Sequence, residues 1–195
     1  MTINASYVAL FVAFLSMLFS FAGARFGVRN KQLDAIIQDQ KRFDDLYAAR
    51  VKILMSISES KKVPFDEQKF DQIDLEARIF FDRFWGLQFD TFLAWHEGYI
   101  PTKIYSFWLI SRRRQLRKSS ADWTLNGRTL ASTFAGLNEH WCIPNNLGSE
   151  DEYVVKFVEI MNRLKNDDEL NIKKILSKYG PHPVIRLMRK IFGGY

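Results

Sequence analysis

The residues of this chain whose types could do chemistry are three histidines, one cysteine and two clusters of basic side chains. His96 and Glu97 begin like a helical zinc-protease motif, but Ile100 stands where the second histidine is required, so the motif fails. His140 and Cys142 are two apart, with no second pair at metal-ligand spacing. No Ser, Cys or Lys can be matched to a base by spacing. There is no phosphate-cradling loop and no glycine-rich dinucleotide turn. The Arg-then-His spacing of helical ribonucleases is missing too: Arg128 is too far before His140, and no arginine suits His96 or His182. The expectation is a non-enzyme with no cofactor and no metal.

The basic clusters point to binding. Arg112, Arg113, Arg114, Arg117 and Lys118 close a predicted helix, and no acid occurs from Gly98 to Ala121. Cations suit a helix C-terminus. The preceding helix is rich in acids (Asp66, Glu67, Asp71, Asp74, Glu76), so an antiparallel hairpin would set the basic end near that acidic start. The other occupants of such a patch are lipid headgroups, an acidic protein or nucleic acid. A second cluster, Arg186, Arg189 and Lys190, is interleaved with Val184, Ile185, Leu187, Met188, Ile191 and Phe192. It reads either as a basic amphipathic helix lying in the membrane interface or as a last helix docked on the bundle. The net charge is +6. For a tethered protein this points first to anionic lipid; nucleic acid is the disfavoured partner.

The element that places these clusters is the N-terminus. Met1 to Ala24 carries no charge, and the apolar run from Tyr7 to Ala24 spans ~27 Å as a helix, the thickness of a bilayer core. Arg25, Arg29 and Lys31 follow at once. Ala22-Gly23-Ala24 fits a cleavage site, but the basic n-region of a secretory signal is missing. The reading is an uncleaved, single-pass membrane anchor, N-terminus outside and the remainder cytoplasmic by the positive-inside rule. A single cysteine, which can form no internal disulfide, agrees. Ser6, Ala9, Ala13, Ser16, Ser20, Gly23 and Gly27 recur at steps of three and four, a small-residue seam that lets helix backbones approach. Self-association through it gives an expected homo-oligomer, and in a larger ring a pore lining.

The divisions are 1–24 anchor, 25–62 connecting helix and 63–195 cytoplasmic helical domain. With 47% hydrophobic and 15% aromatic residues, the chain has the material for a packed core. Leu33, Ile36, Phe43, Tyr47, Leu54 and Ile57 form one heptad-like row on the connecting helix, and Pro64 ends it. The next helix, Asp66 to Glu97, is apolar over most of its circumference between Ile79 and Trp95, apart from a polar stripe at Asp82, Gly86 and Asp90, so it is expected at the centre of the domain. Gly98 stops it and Pro101 opens the third helix, to about Lys118. Asn126-Gly127 marks a turn. A helix follows from Arg128 to about Trp141, another from the capping box Ser149 to Glu152, and another from Asp167 to Tyr179. No β-alternation or repeat is present; the fold class is all-α.

The stretch Leu75 to Phe92, with Phe84-Trp85, Leu87-Gln88 and Phe89 at its centre, followed by Trp95, Gly98, Ile100, Pro101 and Trp108, resembles a group of small bacterial proteins of unassigned function. These share one N-terminal membrane helix and an aromatic-rich helical pair. The resemblance covers about a third of the chain and implies architecture, not a site. In placement the chain is also similar to membrane-anchored effectors or accessory proteins of bacterial anti-phage systems. The expected function is an inner-membrane-anchored, non-enzymatic interaction module that binds another protein at the cytoplasmic face. The alternative is a homo-oligomeric membrane-perturbing or pore-forming effector.

Overall fold

The computed structural model describes residues 5–62, 67–117, 123–142, 151–167, 171–181, 184, 187 and 191, with side chains of 5–11 and 137–142 outside the description. These residues form six helices and no strand: α1 Ala5–Ser60, α2 Glu67–His96, α3 Thr102–Arg117, α4 Leu130–Cys142, α5 Glu152–Asn166 and α6 Ile172–Lys178. The apolar segment and the connecting helix are one α1 of 56 residues, about 84 Å long.

The sequence of α2 explains why it is central. Phe80, Phe81, Phe84, Trp85, Leu87, Phe92 and Trp95 are all buried, and every neighbouring helix takes a piece of this surface. Trp95 stacks on Tyr105 of α3 at 4.4 Å, Trp85 meets Phe134 of α4 at 5.1 Å, and Phe89 meets Phe157 of α5 edge-on at 5.4 Å. The tilted and edge-on geometries are those that aromatic quadrupoles favour.

α1 packs antiparallel against α2. Gln32 Nε2 donates to the Gly98 carbonyl (3.1 Å), the Thr91 hydroxyl donates to the Asp39 carboxylate (3.1 Å), and Arg42 pairs with Asp90 (2.6 Å). The buried row differs from the expected one. Gln32, Leu46 and Ile53 are buried, with Ile36, Phe43, Leu54 and Ile57 partly so, whereas Leu33 and Tyr47 are more than half exposed. Two rows a few residues apart both step by three and four, and the buried one carries Gln32, Asp39 and Arg50 among its apolar members. Hydrophobicity alone therefore merges them.

Both turns follow from local chemistry. Gly98 takes φ +96°, and the Tyr99 and Ile100 amides return to the Ala94 carbonyl, closing α2. Pro101 flanks α3 rather than occupying its first turn: its carbonyl accepts from Ile104 and Tyr105, and the helix begins at Thr102. Asn126 and Gly127 take φ +47° and +77°, so Leu125 and Arg128 exchange two 2.9 Å backbone hydrogen bonds across the turn. Arg128 is thus committed to a bridge. α4 starts two residues later than expected, behind reciprocal Thr129–Ser132 capping bonds.

Asp74 of α2 pins this turn. Its carboxylate accepts from Arg128 (3.0 and 3.1 Å), Asn126 (3.4 Å) and Arg78 (2.9 Å). The hydrogen bond from Arg128 foremost holds the Asp74 carboxyl below its usual range of 3.8. A depressed folded value means stability that is present above the unfolded value and is lost as pH falls through the folded one. Acid titration of the full-length protein should show a loss of stability setting in below pH 3.8. Asp74→Asn should remove that component while lowering stability at neutral pH. An unchanged acid limb in the variant would dismiss Asp74 as its source.

The later helices start elsewhere than expected. Asp151, not Ser149, caps α5, accepting from the Tyr153 and Val154 amides (2.8 and 3.4 Å), and Glu152 is used in a 2.5 Å pair with Lys156. Ser149 itself lies outside the described residues. The Asp167 amide closes α5 on the Arg163 carbonyl, so α6 begins only after its cap, Asn171.

Candidate functional site

From Val12 to Gly27 α1 is exposed all round, apart from a partly buried Leu15, and two of its rows carry a pattern. Ala13, Ser16, Ser20, Gly23 and Gly27 are exposed, and a Cβ added at Gly23 or Gly27 would meet nothing within 4 Å. The side chain of Ala9 is outside the description. Beyond the apolar segment this side of α1 turns polar, with Lys31, Asp34, Gln38 and Asp45 exposed. The second row is mostly apolar, with exposed Gln40 and Asp44 on the same side between Leu33 and Tyr47. Val12, Phe19, Phe26, Leu33 and Tyr47 fall on one row with steps of seven, interrupted only by Gln40, and all are more than half exposed. Ile37 flanks them. At 100° per residue the two faces are each turned roughly a third of a revolution from the row buried on α2, in opposite senses. By length and composition α1 is the one helix among the described residues that could cross a membrane.

The expected basic patch does not form one surface. Arg112 is only 5% exposed. Consecutive helical residues point 100° apart, and Arg112 falls in the buried row of Tyr105, Leu109 and Leu116. Its guanidinium lies over Phe84 (4.7 Å), Phe43 (5.5 Å) and Trp123 (5.9 Å) and donates to Gln115 Oε1. Among the described residues no carboxylate lies within 4 Å of it, and its Nε is buried with no hydrogen-bond partner. Burial pulls it down to about 9, so it is charged at neutral pH. Arg113 is half-buried and donates to the Asp167 carbonyl at 3.2 Å, while Arg114 and Arg117 are exposed. Lys118 and the tail residues Arg186, Arg189 and Lys190 lie outside the described residues. Of that tail, Val184, Leu187 and Ile191 are helical and exposed at steps of three and four.

Arg112 borders a cavity of about 300 Å³ between α1, α2 and α3, walled by Phe43, Phe107 and Trp108. Asp39, Asp44, Gln88 and Thr91 line it too, and on α2 Thr91 stands seven residues, or roughly 10 Å, beyond Phe84, the ring under Arg112. Burial pushes the Asp39 carboxyl above its usual range, with the Thr91 hydroxyl and Arg42 pulling it back. Composition marks neither Arg112 as buried nor Asp39 as partly buried. The signal was positional: Arg112 at i+7 from Tyr105, Asp39 at i+7 from Gln32.

His96 is buried, 6.0 Å from the Phe92 ring and edge-on to Tyr153 at 5.0 Å. Among the described residues no group of His, Cys, Asp and Glu could hold a metal ion. The side chains of His140 and Cys142, and all of His182, are outside the description. No family model, curated protein or solved structure matches the chain.

Proposed function

We propose that the chain is a non-enzymatic interaction module anchored in the bacterial inner membrane by the apolar part of α1, its helical domain on the cytoplasmic side, where it binds another membrane protein. The observation that carries this is the exposed row Val12, Phe19, Phe26, Leu33 and Tyr47. It runs unbroken in direction from the apolar segment into the domain, at the heptad spacing with which one helix packs along another. A partner helix lying against Val12 and Phe19 in the bilayer would continue along Leu33, Ile37 and Tyr47 beyond it.

In this reading α1 is also a ruler. Gln32, bound to Gly98, is seven residues beyond Arg25, or roughly 10 Å. Phe43, under Arg112, is eighteen residues beyond it, or roughly 27 Å. The lipid-facing corner is then the α2–α3 turn, where Tyr99 and Lys103 are exposed. The basic end of α3 stands several Debye lengths above the headgroups (~8 Å each at physiological salt). Lipid contact thus moves from Arg113, Arg114 and Arg117 to that corner.

The second reading, a homo-oligomer that perturbs the membrane, draws on the other face, since the seam Ala13 to Gly27 is exposed and nothing crowds its glycines. A photo-crosslinking residue at Leu33, Tyr47 or, as the control on the opposite side, Asp45 separates the readings in intact membranes. The module reading expects a discrete heterologous adduct at Leu33 and Tyr47 and none at Asp45, abolished by Ile37→Asp. An adduct of two copies of this chain, lost on replacing Ala13 and Ser16 by Leu, moves the assignment to the oligomer. Equal adducts at all three positions sink the proposed face.

A further inference from the structure

The Arg112 guanidinium is paired with no carboxylate among the described residues, although Asp39 and Asp44 line the same pocket. A guanidinium taken out of water costs several kcal/mol unless it is paired and its donors are satisfied. Here the compensation is three aromatic rings and one amide, Gln115. A guanidinium has five N–H donors in a planar fork suited to carboxylate and phosphate. Among the described residues its Nε finds no acceptor. The group is not sealed in a solid core, because the about 300 Å³ cavity opens beside it. That volume is at the small end of ligand pockets, which are concave, largely apolar and carry a few placed polar groups.

We propose that this pocket binds a small amphipathic anion, with a carboxylate or phosphate head on the Arg112 guanidinium and an apolar body against Phe43, Phe107 and Trp108. The far end fixes the orientation. Asp39 and Thr91 stand there, Asp39 one turn of α1 before Phe43, and Asp44 lies on the α1 wall. A head group of negative charge is repelled from that end and drawn to Arg112. A hydroxyl or amine at the tail finds acceptors in Asp39 and Gln88. The same acids oppose ligands with negative charge spread along their length. The walls select for a flat or aliphatic body: Phe107 is 68% exposed, so the entrance side of the cavity is apolar and open to water. This site is distinct from the outer row of α1, and its occupancy does not depend on the partner proposed above.

The test uses the full-length protein in mild detergent and the emission of Trp108 and Trp123, one in the pocket wall and one against the guanidinium. The probes are hydroxyphenylacetate, phenyl phosphate, inorganic phosphate and the neutral hydroxyphenylacetamide. The expected result is saturable binding of the two aromatic anions, with the amide and inorganic phosphate each at least about tenfold weaker, and the tighter of the two anions identifying the head group. Arg112→Gln should weaken the anions at least about tenfold and leave the amide unchanged. Ser111→Phe, which fills the cavity from α3 and leaves Arg112 in place, should abolish binding of all four. Circular dichroism confirms that both variants are folded. The proposal is overturned if the amide binds as tightly as the acid, if inorganic phosphate matches phenyl phosphate, if either variant binds like the parent, or if no probe binds.

Discussion

Trp85→Ala should destabilise the helical domain by about 4 kcal/mol, the range measured when a fully buried large aromatic is truncated. Trp85 is 0% exposed in the middle of α2. It touches Phe84 at 5.2 Å and Phe134 at 5.1 Å, so it is the joint through which α4 docks on the central helix. Its indole Nε1 donates to the Thr133 hydroxyl at 3.2 Å, and that hydroxyl in turn donates to the Thr129 carbonyl at 2.8 Å. Truncation therefore opens a cavity and also removes the donor that orients Thr133. Against a typical domain stability of about 5–15 kcal/mol, such a loss takes a large share of the total. Urea unfolding of the full-length protein in detergent, followed by near-ultraviolet circular dichroism, measures it. Trp108→Ala is the comparison, because Trp108 is only partly buried at the pocket wall. Equal losses for the two variants would remove Trp85 from the centre of the core.

The centrality of α2 was legible in the sequence because the signal was local and redundant. Nine large apolar side chains from Phe80 to Trp95 leave little circumference for water, and Gly98 and Asn126-Gly127 supply the backbone conformations that their turns need. The register of α1 was legible in part, since Ile36, Phe43, Leu54 and Ile57 of the expected row do turn toward the core, but the row's centre is held by polar contacts. Gln32 is satisfied by a carbonyl 66 residues away and Asp39 by Thr91, partners that no window of sequence contains. The apolar residues Leu33 and Tyr47, by contrast, advertise a core face and point away from it. Ser149 and Asp151 are both competent caps two residues apart in the sequence, and Asp151 is the one whose carboxylate accepts the first amides of α5. For the candidate site, the arginine run was visible and its division was not. Arg112 belongs to the core by its place in the row of Tyr105, Leu109 and Leu116, while Arg114 and Arg117 face solvent. A charge count treats all of them alike.

That division leads to the second large effect, which has the opposite sign. Arg112→Met should stabilise the domain by about 1–3 kcal/mol, as replacing buried ionic groups by apolar ones of similar size often does. The side chain is 5% exposed, charged, and without a carboxylate partner among the described residues. Its three ring contacts return energy, about 2 kcal/mol for a desolvated pair, but a thioether in the same box keeps favourable contact with Phe43, Phe84 and Trp123 and carries no charge to desolvate. Met is unbranched and follows the path of the arginine stem, so Leu109 and Leu116 on the same row need not move. The measurement is the urea midpoint of Arg112→Met beside the parent, with no added anion. A higher midpoint means that the protein carries the arginine at a cost to its own fold, which is the signature of a group kept for what it binds. A lower midpoint, by 1 kcal/mol or more (about the size of one such contact), would make the guanidinium a structural plug held by its rings. Adding an anion that occupies the pocket should then close the gap from the other side, raising the midpoint of the parent and leaving that of the methionine variant where it was, because only the parent has a charge for the ligand to pair.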